Sequence, residues 1–179
     1  MMAEFAGNSL TSRGVVLWGM MMLGAAPVAA AAQAEPACTL SIGGAVPTPR
    51  IVTASDLAAL PRIRGWLPDH DRPPVEYEGV SLAEVLGLAG VTLNLRGPRL
   101  AQYLLATATA ADGYRVVYAL AELDSSLSVH PVVLQDRKNG TPLDAHEGPC
   151  RIVVPDARRP ARSIRQVTSL EVRTAPSGS

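Results

Sequence analysis

The chain has 179 residues and carries 16 basic and 16 acidic side chains, for a formal charge of zero. That balance argues against a general nucleic-acid or membrane-surface binder, both of which need a basic excess. The length supports one domain with a real core rather than two, and with a single phenylalanine, Phe5, the core must be built from Val, Leu, Ile and Ala.

Residues 1–34 read as a secretory signal. Arg13 supplies a positive start, Val15 to Leu23 an apolar centre, and Ala32-Gln33-Ala34 a small-x-small cleavage site. The alternative is an uncleaved anchor, since the apolar run approaches the roughly 18 residues that span a bilayer. Cleavage after Ala34 would leave a domain over residues 35–174 and a disordered tail at 175–179, and would place the protein in the periplasm or outside the cell. In such an oxidising compartment two thiols in one small domain are expected to pair, which predicts a Cys38–Cys150 disulfide. The alternative use of either cysteine is as a metal ligand.

Along the domain, Thr39 to Ile42 alternates and stops at Gly43-Gly44, a first short strand, and residues 48–53 form a second extended piece. Residues 53–61 read as a short helix with a hydroxyl cap ahead of it and Pro61 at its end. Residues 62–77 hold Pro68, Pro73 and Pro74 and read as a loop leading into a short strand. Ser81 then opens a helix, with Glu84 placed for a capping box, Leu82, Val85 and Leu86 on one face, and Gly90 as its C-cap.

Residues 103–109 and 114–118 form two strands joined by the Asp112-Gly113 turn. A helical turn at 119–124 and a strand from Pro131 to Gln135 follow. Asn139-Gly140 is a tight hairpin turn, because both residue types tolerate positive φ. Ile152-Val153-Val154 is an apolar strand stopped by Pro155, and Val167 to Val172 is the closing one. Seven or eight short strands, two or three short helices and no regular βαβ alternation predict an α+β domain with largely antiparallel strands.

Several of these stretches, taken together and in this order, form a pattern. They are Asp56-Leu57 with Leu60-Pro61, Tyr77-Glu78-Gly79-Val80-Ser81-Leu82 with Val85-Leu86, and Asp112-Gly113-Tyr114. After them come Asn139-Gly140-Thr141-Pro142-Leu143, Gly148-Pro149-Cys150-Arg151-Ile152-Val153-Val154-Pro155, and residues 164–172. The set resembles the molybdopterin-binding domain of the sulfite oxidase family, over nearly all of residues 35–174. The resemblance implies that family's mixed, largely antiparallel fold, a molybdenum-pterin cofactor, and a cysteine thiolate on the metal. It also implies a cofactor side formed by Tyr114 and by Arg158, Arg159, Arg162 and Arg165, since arginine grips phosphate bidentately. A solvated loop face is the plainer use of those arginines.

One departure stands out. The family places its cysteine between the Leu-Pro helix end and the Gly-Val-Ser-Leu helix start, and residues 62–77 contain none. Neither a proline nor a carboxylate replaces a soft thiolate. Cys150, in the Gly-Pro-x-Arg loop, and His70, between Asp69 and Asp71, are the remaining metal-donor candidates, and no spacing of His70, His130 and His146 with the cysteines matches a zinc or haem site. Residues 69–84 are acidic apart from Arg72, which would disfavour an anionic substrate such as sulfite near the cofactor. Trp66 and Tyr77 could stack on a flat ligand or pack in the core.

Two functions follow as expectations. One is an exported molybdopterin-dependent oxidoreductase-like domain; the other is a non-catalytic periplasmic binding module that keeps the fold without the molybdenum site and needs no cofactor. A purely structural periplasmic domain is a third, weaker reading. The partners expected are a small-molecule ligand or a periplasmic redox protein, with no nucleic acid, and no membrane once the signal is removed.

Overall fold

The structure, a computed structural model, describes residues 37–69, 72–93 and 105–173. Two five-stranded sheets form the domain. The first has the order β2-β1-β10-β5-β6, from β1 (Leu40–Gly44), β2 (Arg50–Val52), β5 (Leu105–Ala110), β6 (Arg115–Ala119) and β10 (Val167–Arg173). The second runs β3-β4-β7-β8, from β3 (Arg62–Asp69), β4 (Arg72–Ser81), β7 (Val133–Lys138) and β8 (Thr141–Pro142), with β9 (Arg151–Val153) also on β7. All pairings are antiparallel except β1 with β10, which brings the two ends of the domain side by side. This is the expected α+β class.

Alternation explains most of the sheet. In β6, Val116 and Tyr118 point inward while Arg115 and Val117 point out. In β10 the buried Val167, Leu170 and Val172 are out of strict phase, and a register shift against β5 between Val167 and Ser169 restores it. An extra residue in one strand flips the side-chain phase, which is what that spacing requires. One apolar cluster joins the sheets: Leu40, Ile42, Leu170 and Val172 from the first meet Val80, Leu134 and Ile152 from the second.

The helices are short lids on this core. Thr53 caps α1 (Ala54–Ala58) through a reciprocal pair: Thr53 Oγ1 accepts from Asp56 N at 3.4 Å, and Asp56 Oδ2 accepts from Thr53 N at 2.8 Å. The Thr53 hydroxyl, which donates to Asp56 Oδ2 at 2.7 Å, and the Thr53 N–H, with Arg50 at 2.7 Å, hold the Asp56 carboxyl below the usual carboxylate range. Ser81 Oγ accepts from Ala83 N at the start of α2 (Leu82–Gly87), whose Leu82, Val85 and Leu86 are fully buried. Gly90 closes it at φ +81, against Pro47. Glu122 Oε1 accepts from Ala119 N and so clamps the first turn of α3 (Leu120–Leu123).

The largest difference from the sequence reading lies at residues 62–77. The three prolines suggest a loop, yet this stretch forms β3 and most of β4, a long hairpin. Proline is tolerated because of where it falls. Pro68 sits at the register irregularity between Leu67 and Asp69, and Pro73 and Pro74 precede Tyr77, where pairing with β7 begins. A strand end and an edge do not need the missing N–H. Gly65 makes room for the Tyr77 ring, since a Cβ there would lie 2.4 Å from the hydroxyl. Tyr103, assigned to the following strand, lies outside the described residues.

Cys38 and Cys150 form the expected disulfide, with Cα atoms 5.2 Å apart and a sequence separation of 112. Both are buried. The bond ties the start of β1 to the residue preceding β9.

Candidate functional site

Loops around β5, β6 and β9 enclose a cleft of about 800 Å³. One wall is the β5–β6 turn, where Asp112 Oδ1 accepts from Tyr114 N at 2.9 Å. The other is the segment around β9 with the chain that follows it, including His146, Glu147, Arg151, Ser163, Arg165 and Gln166. Backbone bonds lock the walls: Ala111 N donates to Gln166 O at 2.9 Å and Gln166 N to Glu147 O at 3.1 Å. Tyr114 Oη donates to Ala161 O at 2.9 Å, crossing to a 3₁₀ turn at Pro160–Arg162.

The charges here are arranged rather than scattered. Glu147 is shared: Oε1 accepts from Arg151 Nη1 at 2.6 Å and Oε2 from Lys138 Nζ at 2.8 Å. Arg165 Nη1 contacts His146 Nε2. Asp144 orders this loop by accepting from His146 N and Glu147 N, each at 2.9 Å, and those backbone bonds hold its carboxyl below the ordinary range. Among the lining residues Arg151 and Arg165 stand against Glu147 and Asp112, two cations to two carboxylates, and Lys138 reaches Glu147 from outside the lining. The lining balances in charge, and Glu147 is taken up by Arg151 and Lys138.

The structure separates the sequence-predicted residues. Tyr114 and Arg165 line the cleft. Arg162 does not: its guanidinium holds Glu122 at 2.7 and 2.8 Å and lies 5.5 Å from the centre of the Tyr118 ring. Arg158 and Arg159 are exposed and outside the cleft lining. His70 lies outside the described residues. Trp66 is 66% exposed on β3, Tyr77 is buried, and neither lines the cleft. The acidic run is also divided: Glu78 pairs with Arg62 and Arg64, while Glu84 lies in a second cleft of about 880 Å³. That second cleft has Glu84 and Asp124 as its charged liners, without the arginines of the first.

Sequence reasoning did not single out His146, Glu147, Arg151, Ser163 or Gln166. Arg151 had a signal, a charge opening an otherwise apolar strand, since a charged side chain is almost never buried unless paired. The others acquire their roles only when the β5–β6 turn is laid against them.

Do these residues suit a thiolate-held molybdenum? The chain has two cysteines and both sulfurs are bonded to each other. β3 and β4 carry no cysteine, and among the described residues no three His, Cys, Asp or Glu side chains converge on one point. The donor set does not fit a thiolate-ligated metal. The two cleft arginines, Arg151 and Arg165, are donors of the kind that suits the phosphate of an anionic ligand.

Two five-stranded sheets around one core, with an arginine-bearing cleft among their loops, define a two-sheet α+β domain. The oxidoreductase molybdopterin binding domain family matches residues 73–179, more than half of the chain, and the chain belongs to that family. Its fold is similar to the crystal structure of the sulfane dehydrogenase SoxCD from Paracoccus pantotrophus, with a TM-score of 0.57 and 23% identity, over 78% of this chain and 39% of that one. At this identity the likeness speaks for the fold, and the chain spans well under half of that relative. No curated protein matches it. The family match begins at Pro73, beyond β3, so it leaves out most of the stretch that lacks the cysteine.

Proposed function

We propose that this chain is an exported ligand-binding member of its family, which takes an anionic small molecule of the phosphorylated-pterin class in the Arg151–Arg165 cleft and holds no thiolate-bound molybdenum. The observation that carries this reading is the disulfide: it occupies the sulfurs of both cysteines, while Arg151 and Arg165 line the cleft. The same disulfide and the apolar segment before Glu35 support export, because buried disulfides persist in oxidising compartments. A pterin-dependent oxidoreductase is the second reading, favoured by the family match. In that case a redox protein of the periplasm is the natural partner.

The two readings part on composition. Protein purified from its native host is expected to contain substoichiometric molybdenum by elemental analysis, whether or not a pterin is extracted with it. One molybdenum per chain with electron transfer to a dye would establish the second reading instead.

A further inference from the structure

Among the described residues, two buried side-chain polar atoms lack a hydrogen-bond partner: Gln135 Oε1 and Arg151 Nε. They are neighbours. Gln135 on β7 and Arg151 on β9 are direct cross-strand partners, and such side chains leave one face of the sheet with Cβ atoms about 5 Å apart. Gln135 is only 1% exposed, and its orientation is decided by its other bond. Nε2 donates to Arg137 O at 2.9 Å, so the carbonyl end is the one left over. What remains is an acceptor on one residue and a donor on the other. Buried polar groups without partners are rare enough that each calls for a reason.

Arg151 supplies the reason, because it also lines the cleft. Its Nη1 is committed to Glu147 Oε1 at 2.6 Å. We propose that Gln135 is the positioning residue of this arginine: its Oε1 takes up the Nε–H through one bridging water. With Gln135 on Nε and Glu147 on Nη1, the guanidinium plane is set and Nη2 is the nitrogen presented to an anion. An amide suits this better than a carboxylate. It orients the guanidinium without cancelling the charge the anion needs, and Glu147 is already shared with Lys138. The inference rests on the anion-binding reading of the cleft, and its test separates the two.

The experiment uses the disulfide-intact chain and reads two quantities: hydrogen exchange of the Arg151 Nε–H by NMR, assigned by its loss in Arg151→Lys, and the Kd for inorganic phosphate. Gln135→Met keeps the length but removes the acceptor; losing a bond to a charged donor is expected to speed that exchange and weaken phosphate by about tenfold each. Gln135→Glu keeps the Nε–H protected yet weakens phosphate, because its charge opposes the anion. Wild-type exchange and wild-type Kd in Gln135→Met would overturn the proposal, while phosphate binding by the wild type would leave the cleft reading standing. Faster exchange in Gln135→Met with no phosphate binding by the wild type would uphold the positioning role and remove the cleft reading. Should Gln135→Met not fold, Gln135→Glu decides: phosphate affinity equal to wild type overturns the proposal.

Discussion

Arginines that look equivalent in sequence do different work in the fold. Arg162 and Arg165 are three residues apart, yet the first faces Glu122 and Tyr118 and the second faces the cleft. Arg165→Ala is therefore expected to abolish phosphate binding with little change in stability, read by calorimetric titration and thermal melting. Arg162→Ala should leave binding intact. Its side chain is 44% exposed and the pair is screened by solvent, so the loss should be about 0.2–1 kcal/mol of stability. Tyr118 is a second residue-scale case. Burial pushes its phenol well up, and Oη donates to Arg162 O at 2.5 Å. A folded-state pKa above the unfolded one means that its contribution is complete below about pH 10 and is lost as pH rises from there toward the folded value. Ultraviolet titration of the folded protein should show a late phenolate phase that is absent in Tyr118→Phe.

Among the elements, the β3–β4 hairpin shows most clearly how context overrides composition. Its central requirement is a close backbone approach at Gly79, where pairing with β7 shifts register between Glu78 and Gly79. A Cβ at Gly79 would lie 2.1 Å from Leu134 O and 2.8 Å from Gln135 Cα, both backbone atoms that no rotamer can move. Gly79→Ala should cost about 2–4 kcal/mol in urea unfolding, a size reserved for broken backbone packing. It should also weaken phosphate, because β7 carries Gln135 toward Arg151. The hairpin escapes detection from sequence because proline was read as a loop signal, when its cost in a strand depends on whether the missing N–H faces a neighbour. The turns were legible by contrast. Asn139 and Gly140 adopt φ of 50° and 77°, and Gly113 adopts 85°, as their residue types foretold.

For the whole molecule, the Cys38–Cys150 bond closes a loop over most of the domain, joining the first strand to the wall of the cleft. Cross-linking so long a loop restricts the unfolded chain, so paired Cys38→Ser and Cys150→Ser changes should cost about 2–5 kcal/mol by chemical denaturation. Family and fold class are written in the order of short motifs, because each records a local requirement: a cap, a turn, an apolar strand. The missing thiolate is equally plain, since the absence of a residue type needs no coordinates. Tertiary structure alone decided which polar groups meet. His146, Glu147, Arg151 and Arg165 become one cleft only after β9, the 3₁₀ turn and the β5–β6 hairpin pack together. Arg162 is withdrawn from it because Glu122, 40 residues away in sequence, reaches it first. Charge and type are properties of a residue, whereas a site is a set of distances, and those are determined by long-range packing of the chain.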